Sequence, residues 1–166
     1  MNALWTYFWP IFAAGLVAGV IAGTVAFRRP TKRVMARLYG VLAAIAAAAL
    51  WHGPLGAADR FSSRVELGAR QALDYYEMTK VTAQLQRAPL SRRLILAGPA
   101  DDFQHSELVR VLNQLPGVSG VSWSNERTGL PLIAESVIAA CAGFLMGLLV
   151  AYLVELHRRY NAQWKW

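Results

Sequence analysis

Residues 136–154 read SVIAACAGFLMGLLVAYLV, 19 consecutive positions without a formal charge, held between Glu135 and Glu155. A helix needs about 20 predominantly apolar residues to cross a bilayer, and the wider block from Leu132 to Leu156 supplies them. Two further blocks precede it. Leu4 to Phe27 contains no charged residue over 24 positions, which at 1.5 Å per residue spans about 36 Å against a hydrocarbon core of roughly 30 Å. Leu38 to Leu55 is shorter and is interrupted only by His52, Gly53 and Pro54 near its end. The competing reading is a soluble bundle of buried helices. A chain of 166 residues that is 55% hydrophobic and 16% charged, with a mean hydropathy of +0.30, is too small to hide that much apolar surface. The expected fold class is therefore a mainly α membrane protein. Its transmembrane helices are placed over residues 1–27, 38–56 and 130–156, with a small α/β extracytoplasmic domain between the second and third.

The first block does not read as a cleaved secretory signal. Met1 to Trp9 carries no basic side chain, the apolar stretch is too long, and Arg28 and Arg29 follow it directly. An uncleaved anchor fits better, and the position of the arginine pair after the helix argues against a twin-arginine export signal. Orientation follows from the basic residues. The loop 28–37 holds Arg28, Arg29, Lys32, Arg33 and Arg37 with no acid, and the tail 157–166 holds Arg158, Arg159 and Lys165. The segment 57–129 is nearly balanced, with nine basic and eight acidic residues. The positive-inside rule places loop and tail in the cytoplasm, and the N-terminus and the long segment outside. Trp5, Tyr7, Phe8 and Trp9 form one interfacial belt and Trp51 another. Most of the net charge of +7 thus lies in the loop and tail. It is a topology feature and a contact for anionic lipid headgroups at Arg28, Arg29, Lys32 and Arg33, not a nucleic-acid footprint.

Small residues recur every four positions in all three apolar blocks. Gly15, Gly19 and Gly23 do so in the first, with Ala14, Ala18 and Ala22 one position behind; Gly40, Ala44 and Ala48 in the second; Ala139, Gly143, Gly147 and Ala151 in the third. Such spacing keeps them on one helix face, where a neighbouring backbone can approach closely. The grooves can pack against one another inside the chain. Three stripes exceed what one small bundle needs, so Gly15, Gly19, Gly23, Gly40, Ala44, Ala48, Gly143, Gly147 and Ala151 are the expected partner-binding positions.

In the segment 57–129, an amphipathic helix is expected over 58–87, on the spacing of Phe61, Val65, Ala69, Ala72, Tyr76 and Ala83, ended by Ala88-Pro89. A strand over 93–97 stops at Gly98-Pro99, and a helix over 101–115, capped by Asp101 or Asp102, has its apolar positions at Phe103, Leu108, Val111, Leu112 and Leu115. A second strand over 118–124 follows the turn at Pro116-Gly117. The run Leu94-Ile95-Leu96-Ala97-Gly98, a helix, and then Leu115-Pro116-Gly117-Val118-Ser119-Gly120-Val121 resembles the second half of a BON domain, a family of small α/β modules in bacterial periplasmic and outer-membrane proteins. The resemblance covers about 35 residues, and the family's first strand has no clear counterpart before Arg92. It implies a module that contacts membranes, peptidoglycan-associated proteins or other subunits, and it carries no specific binding residue across.

No catalytic constellation is apparent, and an enzyme is not expected. His52, His105 and His157 fall in three separate places, so no metal is expected. Cys141 stands alone in the third block, where an inert thiol is the default, and no internal disulfide is available. Asp101 and Asp102 at a helix start suit capping. Glu135, an acid inside a membrane segment, reads either as an interfacial residue near a helix N-terminus or as an intramembrane polar site with a proton- or ion-linked role. His52, with Ala48 one turn earlier and Trp51 beside it, resembles the alanine–histidine arrangement by which antenna polypeptides hold bacteriochlorophyll. It is thus a weak cofactor candidate for pigment or haem, set against a place at the helix end by Gly53-Pro54; no cofactor is expected. The sequence accordingly points to a non-catalytic accessory subunit of a bacterial inner-membrane complex, whose partners are membrane proteins of that complex. The alternative is an envelope tether or sensor, for which the short tail offers no output domain. A self-contained transporter would need paired polar sites or broken helices in repeat positions.

Overall fold

The computed structural model describes residues 2–123 and 129–163. Ser124, at the expected end of a strand, and Lys165, in the basic tail, lie outside them. In chain order the elements are α1 (Ala3–Arg28), a 3-10 turn (Pro30–Lys32), α2 (Arg33–His52), α3 (Ala57–Tyr75), β1 (Thr82–Arg87), β2 (Leu90–Ala97), α4 (Asp102–Leu112), β3 (Gly120–Ser122) and α5 (Leu132–Gln163). The chain divides into two compact units, one of Met1–Tyr7 with Gly56–Glu135, the other of Phe8–Leu55 with the residues from Ser136 onward.

The second of these is helical. α1, α2 and α5 are the three helices long and apolar enough to cross a membrane. Their bounds differ from the hydropathy blocks in an instructive way. α2 begins at Arg33 rather than at Leu38, which shortens the basic loop to Arg29–Lys32. Arginine is a good helix former, and nothing after Pro30 interrupts the first turns. The same helix stops at His52 instead of reaching residue 56. Gly53 closes it by donating its N–H to the Ala49 carbonyl at 3.1 Å, and Pro54 cannot continue it. α5 continues past Leu156, because Arg158 and Arg159 reach back to Glu155 at helical spacing, with N···O distances of 3.1 and 3.2 Å.

In the other unit, α3 buries Phe61, Val65, Ala69 and Leu73, one row spaced by four along the helix. The expected helix over 58–87 is corrected here. α3 ends at Tyr75, and residues 82–87 form a strand. Glu77 takes a left-handed backbone with φ 59°. Its N–H and that of Met78 donate to the carbonyls of Asp74 and Leu73, at 3.1 and 2.9 Å. This is a Schellman closure with glutamate where glycine is usual. Tyr76, expected on the apolar stripe, is the exposed C-cap residue just before the closure. The β-branched Thr79, Val81 and Thr82 then favour an extended chain.

The sheet runs β1-β2-β3. β1 pairs antiparallel with β2, with Leu85 opposite Leu94, and Ala88-Pro89 turns a hairpin rather than ending a helix. β2 pairs parallel with β3, with Leu94 opposite Val121, across the helical crossover α4. Asp101 caps α4 in a reciprocal box: Gln104 N–H donates to Asp101 Oδ1 at 2.7 Å, and Gln104 Oε1 accepts from Asp101 N–H at 3.0 Å. Leu108 and Leu112 enter the core with Leu85, Leu94 and Leu96, whereas Phe103, expected on the apolar face, is exposed. Gly117 has φ 108°, and a Cβ there would lie 2.8 Å from Val65 Cγ2, so glycine meets both a backbone and a space requirement.

Candidate interaction surfaces

The sequence assigns the stripes of small residues to partners. In the structure they are covered within their own unit. A Cβ on Gly15 would collide with the Ala140 carbonyl oxygen, and one on Gly19 with that of Phe144. Reciprocally, Gly143 lies on the Phe12 carbonyl and Gly147 on that of Leu16. Gly23 faces Ala151, where the two Cβ positions would be 2.6 Å apart. A Cβ on Gly40 of α2 would lie 2.6 Å from Ala22 Cβ of α1 and 2.7 Å from the Phe144 ring of α5. Ala44, Ala48 and Ala151 are buried as well. These positions thus pack against the chain's own helices, with Gly40 also reaching the edge of an open groove. Two complementary stripes on one chain meet at a far higher effective concentration than either meets a partner, so they satisfy each other first.

The row one position behind is less covered, with Ala14 and Ala18 half-buried and only Ala22 buried. Ala14, Ala18 and Ala22 of α1, with Ala36, Gly40 and Ala43 of α2, line an apolar groove of about 730 Å³. Its existence reflects how little of α2 is covered. Only 11% of its most apolar window is buried, against 33% for α1 and 28% for α5. Tyr39 and Ile21 stand exposed at the groove, and Leu38 and Leu42 are exposed elsewhere on α2.

Glu135 is matched. Its Oε2 lies 2.7 Å from Arg92 Nε of β2, with both side chains mostly covered. The Nε–H does not aim at that oxygen, so the contact is an ion pair and not an aligned hydrogen bond. An uncompensated acid within a membrane segment is thereby replaced by a paired one inside the sheet unit. Arg92 was missed from sequence, since nothing in the local pattern ties a strand arginine to an acid 43 residues later. The same unit holds a second clamp. Glu66 of α3 accepts both from Arg87 Nη2 at 2.9 Å and from the Leu85 N–H at 3.0 Å, which fixes β1 against the helix.

The histidines stay in separate surroundings. His52 occupies the last turn of α2, half-buried. His105 stacks on Trp123 with ring centroids 4.1 Å apart, and its carbonyl accepts from the Trp123 indole N–H at 3.2 Å. His157 lies 2.9 Å from the Asn161 amide on the same helix. Among the described residues, no group of three or more His, Cys, Asp or Glu side chains gathers. Cys141 is a free, half-buried thiol of α5.

Beyond the groove, the helical unit has a polar recess of about 300 Å³ beside Glu155, to which Arg33, Arg37 and Arg159 contribute. Arg28, Arg29, Lys32 and Arg33, the residues assigned to anionic headgroups, are exposed, except that Arg28 also reaches Glu155 at 3.7 Å. No family model, curated protein or solved structure matches the chain.

Proposed function

We propose that the chain is a non-catalytic accessory subunit of a bacterial inner-membrane complex, crossing the membrane three times. In this reading the N-terminus and the sheet-bearing unit are periplasmic, and the Arg29–Lys32 turn and the end of α5 are cytoplasmic. The observation that carries it is the α1–α2 groove. An apolar groove lined by alanine and glycine on membrane-length helices leaves backbone close to the surface, and close backbone approach is what drives association in lipid. A transmembrane helix of a partner subunit matches that chemistry. The sheet unit is read as a BON-like module, and β1 supplies the strand that the resemblance lacked before Arg92.

Two measurements test the reading. Purification in mild detergent, with mass spectrometry of co-eluting chains, is expected to return one or more membrane proteins in fixed ratio; a chain that elutes alone and monodisperse would reject it. For topology, single cysteines in a Cys141→Ala background are labelled with an impermeant thiol reagent on spheroplasts. Ser119→Cys is expected to react and Thr31→Cys to stay protected. The opposite pattern inverts the orientation.

A further inference from the structure

At the end of the helical unit where α1 gives way to α2, the charges do not balance locally. Glu155 is the acid of this cluster, and it is almost completely covered. Arg158 and Arg159 hold its two oxygens at 3.1 to 3.2 Å, and Arg28 adds a longer contact at 3.7 Å. Its acceptor capacity is thus engaged on its own side of the cluster. Arg33 and Arg37 come to the same recess from α2, one helical turn apart and so on one face. Among the described residues neither forms an ion pair. Arg37 instead lies over the Phe27 ring, 5.9 Å from its centroid. Five guanidiniums therefore gather around one carboxylate. Two of them, Arg33 and Arg37, line the recess beside a carboxylate already held by other arginines, and among the described residues no acid pairs with them.

We propose that this recess holds the phosphate-bearing headgroup of an anionic phospholipid. A planar guanidinium matches phosphate oxygens two at a time, and basic pockets between membrane helices on the cytoplasmic side suit such headgroups. The recess is the size of a headgroup and not of a whole lipid. Its remaining wall is apolar: Phe27 and Tyr152 pack ring to ring at 5.7 Å, and Leu149 and Leu153 continue as an exposed apolar flank along α5. A lipid would place phosphate on the arginines and glycerol and acyl groups on that wall. Free phosphate would use only the first half of the site. This assignment goes beyond diffuse attraction to the basic turn, because it selects Arg33, Arg37 and Arg159 over Arg29 and Lys32. It rests on the membrane-crossing part of the proposed function and not on the partner complex.

The test uses the full chain in zwitterionic detergent, with bound lipid read by native mass spectrometry and folding read by melting temperature. Phosphatidylglycerol is expected to be retained at least about tenfold over phosphatidylcholine. Arg33→Gln/Arg37→Gln is expected to remove most of that preference, since two basic residues are together worth up to roughly thirtyfold. Arg29→Gln/Lys32→Gln, outside the recess, should leave it within about twofold. If the double variant melts early without lipid, Arg33→Gln alone decides, since Arg33 is exposed and outside every ion pair described here. Equal retention of the two lipids overturns the proposal. So does equal loss in both double variants, or displacement of the lipid by inorganic phosphate at matching concentration. None of these outcomes bears on co-purification of a partner, so the two readings fail separately.

Discussion

In the helical unit, α1 and α5 approach by removing side chains, so that Gly15 and Gly19 rest on the Ala140 and Phe144 carbonyls and Gly143 and Gly147 rest on those of Phe12 and Leu16. In the sheet unit, the elements approach by interleaving side chains. Phe61, Val65 and Leu73 of α3 are buried along with Leu85, Leu94, Leu96 and Leu112, and Arg87–Glu66 and Arg92–Glu135 clamp the edges. The difference follows from what each surface trades against. Apolar helices in lipid gain nothing by exchanging lipid contact for side-chain contact, so close backbone packing must supply the association. A small α/β module with alternating polar and apolar faces gains from burying its apolar side, and then has polar groups at the margin to pair. Each rule makes a different substitution costly, and the expected costs in stability descend in the order below.

Gly19→Ile attacks the first rule where it is tightest. The added Cβ meets backbone atoms of Phe144 and Gly147, which cannot rotate aside as a side chain would. Overpacking costs typically about 1–3 kcal/mol and more where the backbone must shift, so the expected loss is at the upper end, about 3 kcal/mol or above. Membrane abundance should fall several-fold and the melting temperature in detergent should drop sharply. Normal values for both would break the account of the α1–α5 seam.

Glu135→Gln attacks the second rule. The Arg92–Glu135 pair is more enclosed than a surface pair but not fully buried. Exposed pairs contribute at most about 1 kcal/mol, and stripping one partner from a buried pair costs about 3–5, so about 2 kcal/mol is expected here. A double-mutant cycle with Arg92→Gln isolates the coupling. A coupling near zero would mean that the clamp is geometric only. Asp101→Ala should cost less, about 1 kcal/mol for a lost N-cap, and Asp101→Asn should restore most of it. Equal losses in both variants would take the capping box out of the explanation.

How much of this was legible in the sequence depended on the range of the interaction. The apolar blocks announced α1, α2 and α5 because hydropathy is local. Asp101 and Asp102 announced the start of α4 because an N-cap is read within one turn, whereas the reciprocal bond to Gln104 came only with the structure. The end of α3 was not legible: its closing position is Glu77, and the cue for a left-handed cap is ordinarily glycine or asparagine. A period of four continued to Ala83 by coincidence and concealed β1. Phe103 likewise sits at a helical spacing that the tertiary arrangement leaves exposed. For the sites, the sequence identified rows of small residues but not which row meets which helix. The glycine row looked the better partner surface, since it permits the closest approach, and for that same reason the chain's own α5 occupies it. Arg92 with Glu135, and Arg33 and Arg37 with Glu155, are long-range juxtapositions that no window of sequence contains.

The smallest expected effect on stability, and the sharpest for function, comes at the residue next to Gly19. Ala18 is half-buried and lines the α1–α2 groove, so a larger side chain there enters open space rather than a neighbouring backbone. Ala18→Leu is therefore expected to change stability by no more than about 0.5 kcal/mol, as for substitutions away from packed features. Leucine also suits a membrane helix, so insertion should be unaffected. If a partner helix occupies the groove, its backbone can no longer reach α1, and the variant should reach the membrane at wild-type abundance while losing its co-purifying chains. Adjacent positions thus give opposite phenotypes: Gly19→Ile removes the protein and Ala18→Leu removes only the complex. A variant Ala18→Leu that keeps its partners at wild-type ratio would show that the groove faces lipid. The accessory-subunit reading would then have to rest on the sheet unit alone.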